Sequence, residues 1–306
     1  RLGTNLLDAI AYANTRGLST RIVSNGEWAV STSSAESMVL QLRETGLNEI
    51  NISVDDYHAD WVPFENIKRA WLASKHRGFA TVLLAIGTGP NSKLTPRSVM
   101  NRLGENIGKI NIRSTPQELP DPDSDGTVYA ISENRFYRLG RGRKMKQSEC
   151  FFPDQEEIYS CTCSRRNLQK VITPRDHVGA CCGINPEGSQ LLDFGPLESD
   201  TQPNELQSTF LDAVTVLGPG YLEKLVMDRN PEISLKRDRY ASICEMCEDL
   251  SSSQEAILTL QKNLETIRRD ITSARIINSL IAVKPVLVLM SGPPANLRFD
   301  QETEGQ

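Results

Sequence analysis

Along the first third of the chain, apolar positions at helical spacing alternate with short β-like runs. Leu6, Leu7 and Ile10 recur at helical spacing, and the pattern ends at Gly17. Short apolar runs then occur in a regular series, at 20–23, 51–54, 80–86 and 109–112. Their starts are about thirty residues apart, which is the length of a strand–helix unit in a parallel sheet or barrel.

Helices are predicted between these runs because capping residues mark where they begin. Ser33 and Glu36 have the spacing of a capping box. Pro63 suits the first turn of a helix that continues to Arg77. Thr95, followed by proline, predicts the start of another helix before the fourth apolar run.

Each apolar run ends in small or polar residues. The carboxyl ends of parallel strands lie at one edge of a sheet, and in such folds this edge holds the binding site. We therefore expect six residues to lie at one edge: Ser24, Asn25, Gly26, Ser53, Asp55 and Thr88.

The repeat begins with a helix where a strand is expected, and four strands do not close a barrel. The predicted fold class is α/β, with a partial parallel (βα) barrel over residues 1–145 that lacks its first strand or strands. Residues 146–290 are predicted to form a smaller cysteine-rich α+β domain with C-terminal helices, and 291–306 a tail.

The remaining elements are less regular. Residues 115–126 are rich in Pro, Asp and Ser and predict a loop before a last barrel strand at 127–131. In the second half, the patterns predict strands at 170–173 and 177–179, helices at 204–227 and 254–281, and a strand at 286–290 after the end of a buried helix.

Composition narrows the class of protein. The chain has 306 residues, 39% of them hydrophobic and 24% charged, as in globular proteins. The net charge of −5 argues against nucleic-acid binding as the main task. No signal peptide or membrane span is predicted, and an odd count of seven cysteines argues against a disulfide framework. We therefore expect a cytoplasmic protein.

All the cysteines lie in the second half of the chain, and six of them form three close pairs: Cys161 and Cys163, Cys181 and Cys182, and Cys244 and Cys247. Pairs close in sequence can converge on one tetrahedral metal or one iron–sulfur cluster, and the residue types alone fit either. The alternative is a set of small buried thiols. Cys150 stands apart.

Two candidate residues at the predicted sheet edge have a structural interpretation beside the functional one. Asp55 either contacts a ligand or caps the turn that follows, and His58 is placed to hydrogen-bond it. Arg141 lies in a basic run, 135–146, that is either solvated surface or a contact for a carboxylate or phosphate.

Together these pieces resemble radical S-adenosylmethionine enzymes with a C-terminal SPASM or twitch cluster domain. Residues 24–26 resemble the polar turn after the third barrel strand, and 52–56 the family's fourth-strand Ser-Ile-Asp-Gly motif. Residues 139–143 resemble the Gly-Arg segment that follows the barrel. The order of cysteines is similar to the cluster domain's, although Asp176 stands where a glycine is usual.

The resemblance implies specific ligands. Cys163, Cys181, Cys244 and Cys247 would hold an auxiliary cluster, which in this family is usually a [4Fe–4S] cluster. Cys161 could replace Cys163 as a ligand, and Cys182 could replace Cys181. The S-adenosylmethionine contacts would be Asn25, Ser53, Asp55 and Arg141.

Two family motifs do not occur in the sequence: the Cys-x-x-x-Cys-x-x-Cys that holds the radical-generating cluster, and the Gly-Gly-Glu that binds the methionine amine. Both belong to the first units of the barrel, so truncation is expected and this chain alone should not cleave S-adenosylmethionine. The resemblance suggests a peptide or protein substrate first and a small molecule second. The alternative from another class is a non-catalytic scaffold with structural zinc or an iron–sulfur cluster.

Overall fold

The computed structural model describes residues 4–110, 120–164, 169–181, 183–198, 202–235 and 237–290, the last nine by their backbone only. The chain divides into two compact units, 1–151 and 152–306. Cys182, the tail at 291–306 and residues 115–119 of the predicted loop at 115–126 lie outside the described residues.

The first unit alternates helices and strands, as the sequence predicts. Its elements in chain order are α1 (Thr4–Thr15), β1 (Arg21–Ser24), α2 (Thr32–Glu44), β2 (Glu49–Ser53), α3 (Asp56–Ala59), α4 (Phe64–Ser74), β3 (Thr81–Thr88), α5 (Pro96–Leu103), β4 (Gly108–Ile110) and β5 (Val128–Arg135).

The strands form one five-stranded parallel sheet in the order β1-β2-β3-β5-β4, so the α/β class is confirmed. The periodicity does not reveal that β5 lies between β3 and β4. β5 pairs with β3 over eight positions, from Thr81↔Val128 to Thr88↔Arg135, whereas β4 has three residues. The longer strand therefore occupies the inner place and the short strand the edge.

The two faces of this sheet differ in chemistry. Ile52, Leu84 and Ile131 are in register across three strands, are fully buried, and belong to the core formed with α2 and α4. On the opposite face, Ser53 is in register with Ala85, which is in register with Ser132. Because side chains alternate along a strand, at these positions one face is apolar and the other carries small and polar groups.

Helix caps agree only in part with the sequence. The capping box of α2 uses Ser31 and Ser34, not Ser33 and Glu36: Ser34 N donates to Ser31 Oγ (3.1 Å), and Ser31 N donates to Ser34 Oγ (3.0 Å). The run of four hydroxyl residues 31–34 hides the true cap, because several of them can fill this role. Thr95 caps α5 as predicted.

The second unit contains an antiparallel sheet in the order β6-β7-β8 and six helices within its described residues. The elements are α6 (Gln155–Ser160), β6 (Lys170–Ile172), β7 (His177–Ala180), β8 (Asp193–Pro196), α7 (Glu205–Val216), α8 (Pro219–Arg229), α9 (Ile243–Ser252), α10 (Gln254–Lys262) and α11 (Leu264–Met290).

Three predictions in this unit are wrong. The helix predicted over 204–227 is broken at Gly218, which has φ +86° and precedes Pro219 at the first turn of α8. The helix predicted over 254–281 is broken at Asn263. The strand predicted at 286–290 is the end of α11.

The end of α11 is also exposed, not buried as predicted. Ile276 and Leu280 are 55% and 64% exposed. A short apolar run does not distinguish strand from helix, and here helical spacing continues through it. Within the part of the chain that the structure describes, no helix has the length and apolar character needed to cross a bilayer.

Candidate metal centre and sheet edge

Four cysteines from three segments line one small cavity in the second unit. Cys163 follows α6, Cys181 follows β7, and Cys244 and Cys247 lie one turn apart on α9. The cavity has a volume of about 20 Å³, which exceeds the need of one water molecule. The remaining wall is apolar, with contributions from Ile184, Leu192, Phe210, Leu211, Val214 and Ile243.

Backbone geometry positions each sulfur. Cys163 N donates to the carbonyl of Val214 (2.8 Å), which fixes this segment against α7. Cys181 has φ +83°, in the left-handed region that few non-glycine residues adopt. Gly183 N donates to Cys181 Sγ (3.4 Å), and a Cβ at position 183 would lie 3.6 Å from Cys244 Sγ. Gly183 is thus within contact distance of the sulfurs of two segments.

The thiols influence one another electrostatically. Burial raises the pKa of the Cys247 thiol well above its usual value, and the neighbouring Cys244, Cys181 and Cys163 raise this pKa further. Thiolates brought together in this way repel one another unless a cation binds them. A metal reverses this relation because a coordinating thiol is deprotonated outright.

A zinc ion and an iron–sulfur cluster hold their thiolates at different separations. Within the described part of the chain, no three cysteine sulfurs lie within 4.8 Å of one another. A single tetrahedral zinc with bonds of about 2.3 Å holds its sulfurs about 3.8 Å apart. In an iron–sulfur cluster each thiolate binds a different iron, so the thiolates lie further apart. The donor set of four cysteines by itself fits either kind of centre.

The four predicted ligands line the cavity, and Cys161 does not. Cys161 is not among the described lining residues, and its carbonyl packs against Gly218, where a Cβ would lie 2.4 Å away. Cys163 is therefore the member of that pair at the cavity. Cys150 is buried in the first unit, whereas the predicted boundary placed it in the cysteine-rich domain.

A buried ionic network holds the helix that carries two of these cysteines. Arg237, with a side chain only 10% exposed, contacts three carboxylates of α9, those of Glu245, Glu248 and Asp249. Its Nη2 lies 2.5 Å from Glu248 Oε2, and its backbone N donates to Asp249 Oδ2 (2.9 Å). Burial lowers the pKa of Arg237, but the carboxylates outweigh burial and the net pKa is raised.

A second layer extends the network to α8. Tyr240 Oη donates to Glu223 Oε1 (3.0 Å), and burial raises the pKa of Glu223. Ala241 N donates to Glu245 Oε2 (3.0 Å). Sequence reasoning missed this network. The sequence does contain a signal for it, because the acidic residues at positions 245, 248 and 249 share one face of a helix. The same pattern is equally typical of a solvated helix surface.

At the sheet edge of the first unit, the turn after β1 is closed by its own side chains. Ser24 Oγ accepts from Trp28 Nε1 (2.8 Å) and from Gly26 N (3.2 Å). Asn25 Oδ1 accepts from Glu27 N (3.1 Å). Parallel register places this turn and Ser53 at the carboxyl ends of adjacent strands, as the sequence predicts.

Asp55 caps α3, which is the structural interpretation given to it above. His58 N donates to Asp55 Oδ1 (3.0 Å), and His58 Nδ1 lies 2.9 Å from the same oxygen, so the expected contact of His58 is confirmed. Burial would raise the pKa of Asp55, but the bonds from His58 outweigh burial and lower it. Asp55 raises the pKa of His58, and the charge of Arg141 partly opposes this. Asp55, His58 and Arg141 therefore lie close enough to interact electrostatically.

Two neighbours of Asp55, missed by sequence reasoning, tie the surrounding loops to this edge. Asp56 accepts from the backbone N of Lys93 (2.7 Å) and of Leu94 (2.9 Å). Tyr57 Oη donates to Glu149 Oε1 (2.8 Å), and burial, followed by this carboxylate, raises the pKa of Tyr57 to about 12. Segments far apart in sequence are thus fixed around α3.

A further group of ligand-type side chains lies on the surface of the first unit. Ligand atoms of His76, Asp123 and Asp125 lie within 4.8 Å of one another, and all three residues are exposed. Asp125 accepts from Tyr129 Oη (3.0 Å) and from Thr127 N (2.9 Å). These hydrogen bonds are those of a surface turn and explain the position of Asp125 without a metal. We assign no metal to the group.

A scan against protein-family models matches no family, and a search among curated proteins finds no similar sequence.

We predict a pH-dependent stability for the Asp55–His58 pair. Its contribution is complete below the usual histidine pKa of 6.5 and is lost as pH rises through the raised pKa of His58. It is also lost at low pH, as pH falls through the lowered pKa of Asp55. His58→Gln should therefore destabilise the protein more at about pH 5.5 than at about pH 9, as measured by urea unfolding.

His76→Gln serves as the control for this comparison, because His76 also lies near a carboxylate, 3.2 Å from Asp125, but is more exposed. The control should show a smaller difference between the two pH values. Equal destabilisation by His58→Gln at both pH values contradicts the ion pair.

We also predict that Arg237→Met lowers the free energy of unfolding by about 3–5 kcal/mol, because it leaves buried carboxylates without this cation. Arg229→Met, at an exposed position on α8, should change it by less than about 0.5 kcal/mol. Urea unfolding of the metal-free protein measures both. A loss of similar size in the two variants contradicts the role of the network.

Proposed function

We propose that this chain carries the auxiliary iron–sulfur cluster of a radical S-adenosylmethionine enzyme. The observation that carries the proposal is the meeting of Cys163, Cys181, Cys244 and Cys247 in one cavity. Four soft donors from three segments are the ligand set of a structural zinc or an iron–sulfur cluster, and the resemblance described above favours the cluster.

The sheet edge supports the second part of the proposal. In this reading the five-stranded parallel sheet is part of a (βα) barrel, and Asn25, Ser53, Asp55 and Arg141 contact S-adenosylmethionine at its carboxyl edge. The cap on α3 uses Asp55 Oδ1, while Oδ2 is close to Gly87, where a Cβ would lie 3.2 Å from it. A carboxylate has enough lone pairs to cap the helix and accept a ligand hydroxyl as well.

The roles of the chain's own residues follow from these contacts. The thiols hold the cluster, the apolar wall limits water around it, and the Arg237 network fixes the helix of Cys244 and Cys247. When bound, such a cluster supplies one-electron chemistry or a site for substrate ligation. Because the printed sequence contains no Cys-x-x-x-Cys-x-x-Cys, we do not assign the radical-generating step to these residues.

The substrate proposed is a peptide or protein, with a small molecule as the second choice; this rests on the resemblance described above. The competing function is a non-catalytic scaffold whose four thiols hold structural zinc. The two differ in a measurable quantity, because zinc requires no inorganic sulfide and a cluster contains it in proportion to iron.

We predict iron with matching acid-labile sulfide after anaerobic purification. Cys247→Ser should lose most of both, because Cys247 lines the cavity beside the three other thiols. Cys161→Ser, a matched change in the same unit, should retain iron and sulfide because Cys161 does not line the cavity.

Three results contradict the proposal. Zinc without sulfide moves the chain to the scaffold class. Equal loss of iron in both serine variants removes the assignment of ligands. Absence of metal from wild-type protein, even after reconstitution with iron and sulfide, leaves the cysteines as core residues.

A further inference from the structure

A larger cavity, of about 500 Å³, lies in the first unit at the carboxyl ends of β3, β4 and β5. Its volume falls within the range of small-molecule sites. The residues that decide its chemistry are Thr88, Lys109, Ile131, Glu133, Arg135 and Phe151.

This cavity lies on the helix-covered face of the sheet. Lys109 is in register with Ile131, and Thr88 is in register with Arg135. Glu133 and Arg135 follow Ile131 at intervals of two, so all of them project from the face whose core includes Ile131. Ser53, in register with Ala85, projects from the opposite face. The cavity is therefore distinct from the edge proposed to contact S-adenosylmethionine.

Two cations face this cavity. Lys109 and Arg135 are exposed, and among the described residues neither has a carboxylate within 4.0 Å. The guanidinium of Arg135 lies over the ring of Phe151, 5.6 Å from its centroid, which favours an extended position for this side chain. Both groups can bind the carboxylate of a ligand, and Arg135 can do so with two parallel hydrogen bonds.

One carboxylate is held beside these cations. Glu133 Oε1 accepts from the hydroxyl of Thr88, a residue only 4% exposed, at 3.0 Å. The bond orients the carboxylate and leaves lone pairs for a ligand. A fixed negative charge repels a phosphate dianion and attracts an ammonium group, so the cavity matches a ligand that carries both signs of charge.

The remaining wall is apolar and includes Ile131 and the Phe151 ring. We propose that this cavity binds a free α-amino acid with a bulky apolar side chain. Its carboxylate contacts Arg135 and Lys109, its ammonium group contacts Glu133, and its side chain packs against Ile131 and Phe151. This assignment uses residues of the first unit alone, so it stands or fails separately from the iron–sulfur proposal.

The test is calorimetric titration of the full chain with L-phenylalanine as the probe. Saturable binding is expected, with 3-phenylpropionate, phenethylamine and inorganic phosphate each at least about tenfold weaker, the loss expected for one charged hydrogen bond. Arg135→Gln and Glu133→Gln should each weaken L-phenylalanine binding by a similar factor. Arg97→Gln, an exposed arginine on α5 outside the cavity lining, should leave it unchanged.

Circular dichroism confirms that the variants are folded, which is expected because all three positions are exposed. The proposal is overturned by absence of saturable binding to folded wild-type protein. It is also overturned if Arg97→Gln weakens binding as much as Arg135→Gln, if 3-phenylpropionate binds as tightly as L-phenylalanine, or if inorganic phosphate binds more tightly.

Discussion

Thiolates gathered in one cavity repel one another unless a cation binds them, and this constraint bears on the arrangement of the second unit. Cys163, Cys181 and the pair on α9 come from separate segments, so a metal bound to them would join parts of the chain that are distant in sequence. Thiolate coordination couples metal binding to folding because the ligands must meet before the centre forms. The left-handed backbone at Cys181 is one place where the chain accepts strain to bring a sulfur to the cavity.

The ionic network around Arg237 also fixes α9, the helix that carries two of these cysteines. Arg237 and its three carboxylates fix the helix by contacts within the protein. A buried network of this kind adds little net stability but penalises any displacement of its members. Cys244 and Cys247 are therefore held on a helix whose position would not depend on a bound metal alone. At the sheet edge of the first unit, Asp55, Asp56 and Tyr57 play a comparable part by fixing loops around α3.

The sequence predicts features whose signals are local. Strand–helix units, the order of the strands along the chain and the cap at Thr95 all follow from spacing and capping residues. The position of β5 between β3 and β4 depends on pairing across the sheet, which spacing does not encode. The choice of Cys163 over Cys161 and the role of Arg237 depend on contacts between distant segments. Ambiguous local patterns gave two wrong predictions. The hydroxyl run at 31–34 does not show which of its residues caps α2, and the apolar end of α11 has the composition of a strand.

We propose that the four sulfurs hold a cluster of several metal ions and not a single ion. X-ray absorption spectroscopy at the iron and zinc edges of anaerobically purified protein tests it most directly, because it reports the neighbours of the bound metal. A cluster gives a spectrum of iron surrounded by sulfur, with further iron atoms as its next neighbours. Zinc surrounded by four sulfurs, with no second metal nearby, would contradict it.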